Sequence, residues 1–184
     1  MSAEQIPYVA FLRAVNVGGR KVEMARLRAE LDGLGLGPVR TYIASGNVFF
    51  RSHRTDREKL RAEIEQRLAA TFGFDVPTAL YTLAEVEEAY AAAPFGATKP
   101  EAHERFSLLF TTGRLAEDVL PQAGKRGDWE VVGVHGTTAY LHYRVVDGKG
   151  PANPVPLLEK AFGVQGTGRF HHTVEKIIAA ARKD

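Results

Sequence analysis

The chain has 184 residues, with 24 Lys+Arg against 22 Asp+Glu and no cysteine. That length buries roughly 70% of the surface an unfolded chain exposes, enough for one large domain or two small lobes. The absence of cysteine excludes disulfides, a thiolate nucleophile and Cys-ligated metal centres, and no apolar run approaches the ~20 residues of a membrane span. A polar N-terminus without a signal core fits a cytosolic protein. Residues 1–73 hold 12 basic and 8 acidic side chains, against 12 and 14 in the remainder. This mild asymmetry is compatible with an anionic partner for the first lobe, although nucleic-acid binders usually carry a denser basic stripe.

Tyr8–Leu12 is a continuous apolar run closed by Arg13, the pattern of a buried strand. Asn16-Val17-Gly18-Gly19-Arg20-Lys21 breaks it. Met24, Leu27, Leu31 and Leu34 recur at helical spacing, and Gly35 and Gly37 end that helix. A second strand is expected from Val39 to about Ala44, a turn at Ser45-Gly46-Asn47, and a third strand over Val48–Arg51. Thr55 and Glu58 form a capping box for a helix whose stripe is Leu60, Ile64, Leu68 and Phe72, ended by Gly73. A fourth strand covers about Val76–Tyr81. The order is the βαββαβ of a ferredoxin-like plait.

Thr82 and Glu85 form a further capping box for a helix reaching Ala93, with Glu85, Glu87 and Glu88 as its solvated face. Pro94 through Glu104 reads as a linker. Beyond it the pattern gives a strand (Phe106–Thr111), a short helix (Leu115–Gln122) and a strand from Trp129 to Val134. A turn at His135-Gly136 leads to a strand over Ala139–Val145, then come a helix (Leu157–Phe162) and a closing helix carrying Val174, Ile177, Ile178 and Ala181. The fold class is α+β in two lobes: a plait over 1–81, a helix and linker over 82–104, and a plait-like β-α-β-β-α lobe over 105–184.

In a split βαβ the loop after the first strand and the hairpin between the second and third lie at one edge of the sheet. Arg13, Asn16, Gly18, Gly19 and Lys21 therefore fall near Ser45, Gly46 and Asn47, beside the start of the first helix. Glycines at a helix N-terminus can form an anion-binding nest, with Arg13 or Lys21 supplying charge. The spacing matches neither the P-loop nor the dinucleotide fingerprint. Gly18-Gly19 as a plain turn, Asn47 as a hairpin cap and Arg13 as a carboxylate partner are equally open readings.

The stretch from Tyr8 to Gly19, with Met24 and Leu27 and then Val39-Arg40-Thr41-Tyr42-Ile43-Ala44-Ser45-Gly46-Asn47-Val48, resembles the signature of a bacterial family, domain of unknown function 1697. The similarity runs nearly end to end. It implies a two-lobe α+β architecture with ferredoxin-like elements and no established activity. The family usually has Gly where Ala14 stands and a glycine loop one residue longer. Its "TRNWNTV" resembles Arg169-Phe170-His171-His172-Thr173-Val174, of which Arg169 and Thr173 carry over.

Adjacent His171 and His172 point about 100° apart on a helix and cannot share a metal. His171 and Glu175 can, but two ligands do not make a site. Their segment reads as a helix start capped by Thr167 or Thr173, with Arg169 free to reach an anion or the first lobe. Ser45 and Thr41 are hydroxyls without a nearby base in sequence, and Ser45 reads as a hairpin residue. The candidate ligand residues are Arg13, Asn16, Gly18, Gly19, Lys21, Thr41, Ser45, Gly46, Asn47 and Arg169, for an anionic or phosphorylated small molecule. No cofactor or metal is implied. RNA or single-stranded DNA binding by the basic first lobe, and a lobe-docking pole with no ligand, are the alternatives.

Overall fold

The computed structural model describes residues 4–116, 118 and 122–183. It is an α+β chain of two four-stranded antiparallel sheets, with five helices among the described residues. The chain divides into two units, residues 1–86 with 177–184, and residues 87–176.

The first unit contains β1 (Ile6–Leu12), α1 (Met24–Asp32), β2 (Arg40–Tyr42), β3 (Asn47–Ser52), α2 (Arg57–Phe72) and β4 (Thr78–Thr82). Strand order is β2-β3-β1-β4, with β3 antiparallel to both β1 and β2. The split βαβ order expected from the sequence is therefore present. Alternation along β1 sends Tyr8, Ala10 and Leu12 into a core with Leu27, Leu31, Leu60, Ile64 and Leu68 from the two helices. Each such leucine contributes about 1.5–3 kcal/mol on leaving water.

Helix α2 begins one residue later than the expected box. Asp56, not Thr55, is the N-cap, and its carboxylate accepts from the Lys59 amide at 3.1 Å. Aspartate is as good a cap as threonine, so the two adjacent candidates compete. Gly73 ends the helix at φ +79 as expected. The second box is present: the Thr82 amide donates to Glu85 Oε2 at 2.8 Å and the Glu85 amide to Thr82 Oγ1 at 3.2 Å. It opens α3 (Leu83–Ala91). Glu85 also pairs with Arg57 at 3.0 Å, so it is more than a solvated side chain.

Residues 177–184 bring the end of α5 (His171–Ala181) into the first unit. Arg40 satisfies its terminal carbonyls, donating to Ala180 O at 3.0 Å and Ala181 O at 3.2 Å while lying over the Phe49 ring. Helix C-termini leave such carbonyls without intrahelical partners, and a cation suits their dipole.

The second unit contains β5 (Glu104–Thr111), β6 (Trp129–His135), β7 (Thr138–Arg144), α4 (Val155–Phe162) and β8 (Gly166–Phe170). Its strand order, β6-β7-β5-β8, repeats the pattern of the first sheet. Trp129 is 5% exposed and packs with Leu109, Leu115, Val131, Leu141 and Leu158. Strand β8 replaces the helix start expected around Thr167 and Arg169. Pairing of Ser107 through Thr111 with Phe170 through Gly166 overrides the low strand propensity of two glycines. Of the helix expected at Leu115–Gln122, residues 117 and 119–121 lie outside the described residues. No helix among the described residues is long and apolar enough to cross a membrane.

Candidate functional site

Strand β1 ends between two neighbours: the Leu12 amide donates to Gly46 O at 2.8 Å and the Arg13 amide to Pro77 O at 2.9 Å. The loop that follows has four left-handed residues: Ala14 (φ +56), Asn16 (φ +56), Gly18 (φ +58) and Gly19 (φ +82). The Arg20 amide closes a turn onto Val17 O at 3.0 Å. Positive φ at both central positions of that turn favours the Gly-Gly pair. Ala14 occupies a conformation that glycine adopts without strain, which explains the family's preference at this position.

Asn16 joins the loop to the hairpin. Its Nδ2 donates to Ala44 O at 2.8 Å, and its Oδ1 accepts from the Val22 amide at 2.8 Å. Asn also tolerates the left-handed region better than most residues. The hairpin turn covers Ile43–Gly46, and Asn47 is the first residue of β3 rather than a turn residue. Asn47 is fully buried because its Nδ2 is used internally, donating to Tyr42 O at 3.0 Å and Ser45 Oγ at 3.1 Å. Gly46 is fixed twice over. Its φ is +86, and a Cβ there would meet Leu12 Cβ at 2.8 Å.

Thr41 Oγ1 accepts from Arg28 Nη1 at 2.8 Å, tying β2 to α1. Helix α1 starts after Glu23, with no side-chain cap and no acidic residue in its first turn. Lys21 is exposed and makes no hydrogen bond or ion pair among the described residues. Arg20 lies over the Phe74 ring at 5.2 Å. These bonds tie the end of β1 and Asn16 to the Ile43–Gly46 turn, while Gly18, Gly19 and Lys21 lie further along the loop and Thr41 lies in β2.

Arg169 belongs to the second unit, in β8, where it is 8% exposed. Its Nη1 donates to Thr167 Oγ1 at 2.8 Å and Gly168 O at 2.9 Å. Burial pushes its pKa down to about 10, since a guanidinium loses hydration there. It does not stand free at a helix start.

Two residues of the pole were not singled out from sequence. Arg28 sits on the polar side of an ordinary amphipathic helix, and its pairing with Thr41 has no sequence signal. Ile43 is 50% exposed at φ +51, an outlier for a β-branched side chain. Its only signal was its place inside the specific Thr41–Val48 stretch. Among the described residues no group of three His, Cys, Asp or Glu could hold a metal ion.

Comparison with known proteins gives a fold and a family without an activity. The chain is similar to the conserved bacterial protein SP0830 from Streptococcus pneumoniae, with TM-score 0.74 and 25% identity over 98% of this chain and 100% of that one. No curated protein matches. The model of a family described as protein of unknown function (DUF1697) matches residues 6–140, well over half of the chain. The chain therefore belongs to the DUF1697 family.

Proposed function

We propose that this is a cytosolic binding protein whose ligand is a small phosphorylated or otherwise anionic molecule, held at the pole formed by the Arg13–Lys21 loop and the Ile43–Gly46 turn. The observation that carries the reading is the loop itself: paired left-handed glycines lie a short stretch (residues 20–23) ahead of a helix whose N-terminus has no side-chain cap. Amides in that position and the positive end of the helix dipole favour an anion. Arg13 and Lys21 supply charge, Arg13 with the planar fork that suits phosphate. Asn16, Thr41, Gly46 and Asn47 set the shape through the hydrogen bonds and close approach described above, and Ser45 lies in the turn.

Glu23 is the carboxylate next to these amides. Its charge opposes an anion, so Glu23→Gln strengthens binding under this reading. The test is a thermal-shift screen of nucleotides and sugar phosphates on wild type, Arg13→Ala and Lys21→Ala. The expected result is at least one compound that raises the wild-type midpoint and has a much smaller effect on both variants. Equal shifts in all three proteins for every hit would reject the assignment.

A further inference from the structure

The second unit contains a cleft of about 490 Å³ that the pole does not involve. Tyr90, Phe106 and His171 line it, and the buried Phe95 packs behind them. Tyr90 of α3 stacks on His171 of α5 with centroids 4.6 Å apart and planes 12° apart. His171 meets Phe95 edge-on at 5.4 Å, and Phe95 stacks on Phe106 of β5 at 4.3 Å. Phe95 and Phe106 are buried, while Tyr90 and His171 are half-buried, so the wall is anchored at one end and accessible at the other. This arrangement accounts for His171, which no other role in the chain absorbs.

Charged groups line the same cleft. Lys99 and Arg105 contribute cations, and Glu175 one carboxylate. Lys99 makes no hydrogen bond or ion pair among the described residues, and Arg105 donates only to the carbonyls of Ala102 and Glu104. Neither the Tyr90 hydroxyl nor the Glu175 carboxylate makes a hydrogen bond among the described residues. Burial lowers the pKa of His171, so the imidazole is neutral near pH 7 and can both donate and accept.

Pockets of a few hundred Å³ with aromatic walls and a few convergent polar groups are the usual form of small-molecule sites. A fixed aromatic face takes a flat ring by stacking, and unpaired cations at the rim take an acid. We propose that this cleft is a second binding site, for a small flat aromatic anion that carries a hydrogen-bond donor. The ring lies against Tyr90 and His171, its carboxylate or phosphate meets Lys99 and Arg105, and its donor meets Glu175.

The test is an NMR titration of the full chain, following the ring signals of His171 and Tyr90. The probes are 4-aminobenzoate and AMP as the two acid sources, with aniline and adenosine as uncharged counterparts. Saturable shifts with either acid, at least fivefold tighter than with its uncharged counterpart, are expected, and the acid that binds identifies the group recognised. The Lys99→Ala/Arg105→Ala protein, whose exposed substitutions leave the amide spectrum folded, loses at least fivefold in affinity. No saturable shift with either acid, equal binding of charged and uncharged rings, or unchanged affinity in the double variant would overturn the proposal.

Discussion

The Asn16 side chain donates to the Ala44 carbonyl at 2.8 Å, across 28 residues of sequence, and so holds the first loop against the hairpin. Its carboxamide oxygen simultaneously takes the Val22 amide just ahead of α1. One side chain thus sets the spacing of loop, turn and helix start. Asn16→Ala removes both bonds and leaves a non-glycine residue at φ +56. The expected loss is about 1–3 kcal/mol from the bonds, with a further cost from the backbone. Asn16→Gly retains the backbone freedom and isolates the hydrogen-bond part. Urea denaturation of the two variants gives the difference, and equal midpoints with wild type would contradict the bridging role.

Gly46 and Gly19 separate conformation from space. Their φ angles are close, +86 and +82, but a Cβ on Gly46 meets Leu12 at 2.8 Å whereas one on Gly19 meets nothing within 4 Å. Gly19→Ala should therefore cost about 1–2 kcal/mol from left-handed strain alone. Gly46→Ala adds overpacking, for a total of about 2–4 kcal/mol. Similar losses for the two variants would show that the contact with Leu12 is unimportant.

Much of this architecture was legible because local chemistry and tertiary structure agree. The Tyr8–Leu12 run, the leucine stripe of α2, the Thr82/Glu85 box and Gly73 each mark a boundary that the fold keeps. The convergence of Asn16 with the hairpin followed from strand order alone. What could not be read depends on pairing between distant residues. Strand β8 has glycines at 166 and 168 and no alternation, and exists because β5 supplies its ladder. Asn47 looks like a turn residue in sequence, yet its buried carboxamide serves Tyr42 and Ser45.

Two positions carry backbone strain that a single substitution can relieve. Ala14 at φ +56 and Ile43 at φ +51 both sit where a Cβ is disfavoured. Ala14→Gly and Ile43→Gly should each raise stability by up to about 1 kcal/mol, the relief exceeding the added freedom of the unfolded chain. Thermal melts of each variant decide this. For Ile43, a gain in stability together with weaker ligand binding would mark the strain as functional.

His171 gives a pH prediction with a definite sign. Desolvation disfavours its imidazolium, Glu175 favours it, and His172 disfavours it, for a net downward shift from the ordinary value of 6.5. The unfolded chain then binds the proton more readily than the native one. The stability His171 contributes is complete above pH 6.5 and is lost as pH falls through its lowered native pKa. Its ring proton should titrate below 6.5 in the native protein, and lower still in Glu175→Gln. A midpoint at or above 6.5 would contradict the burial argument.

The anion-binding reading of the pole is tested most directly by calorimetric titration with inorganic pyrophosphate, the minimal probe of charge and geometry. Wild type is expected to give a saturable isotherm, Glu23→Gln a tighter one, and Arg13→Ala/Lys21→Ala an affinity at least tenfold weaker at unchanged fold. Equal affinity in wild type and the double variant, or no binding to wild type at millimolar pyrophosphate, would contradict it.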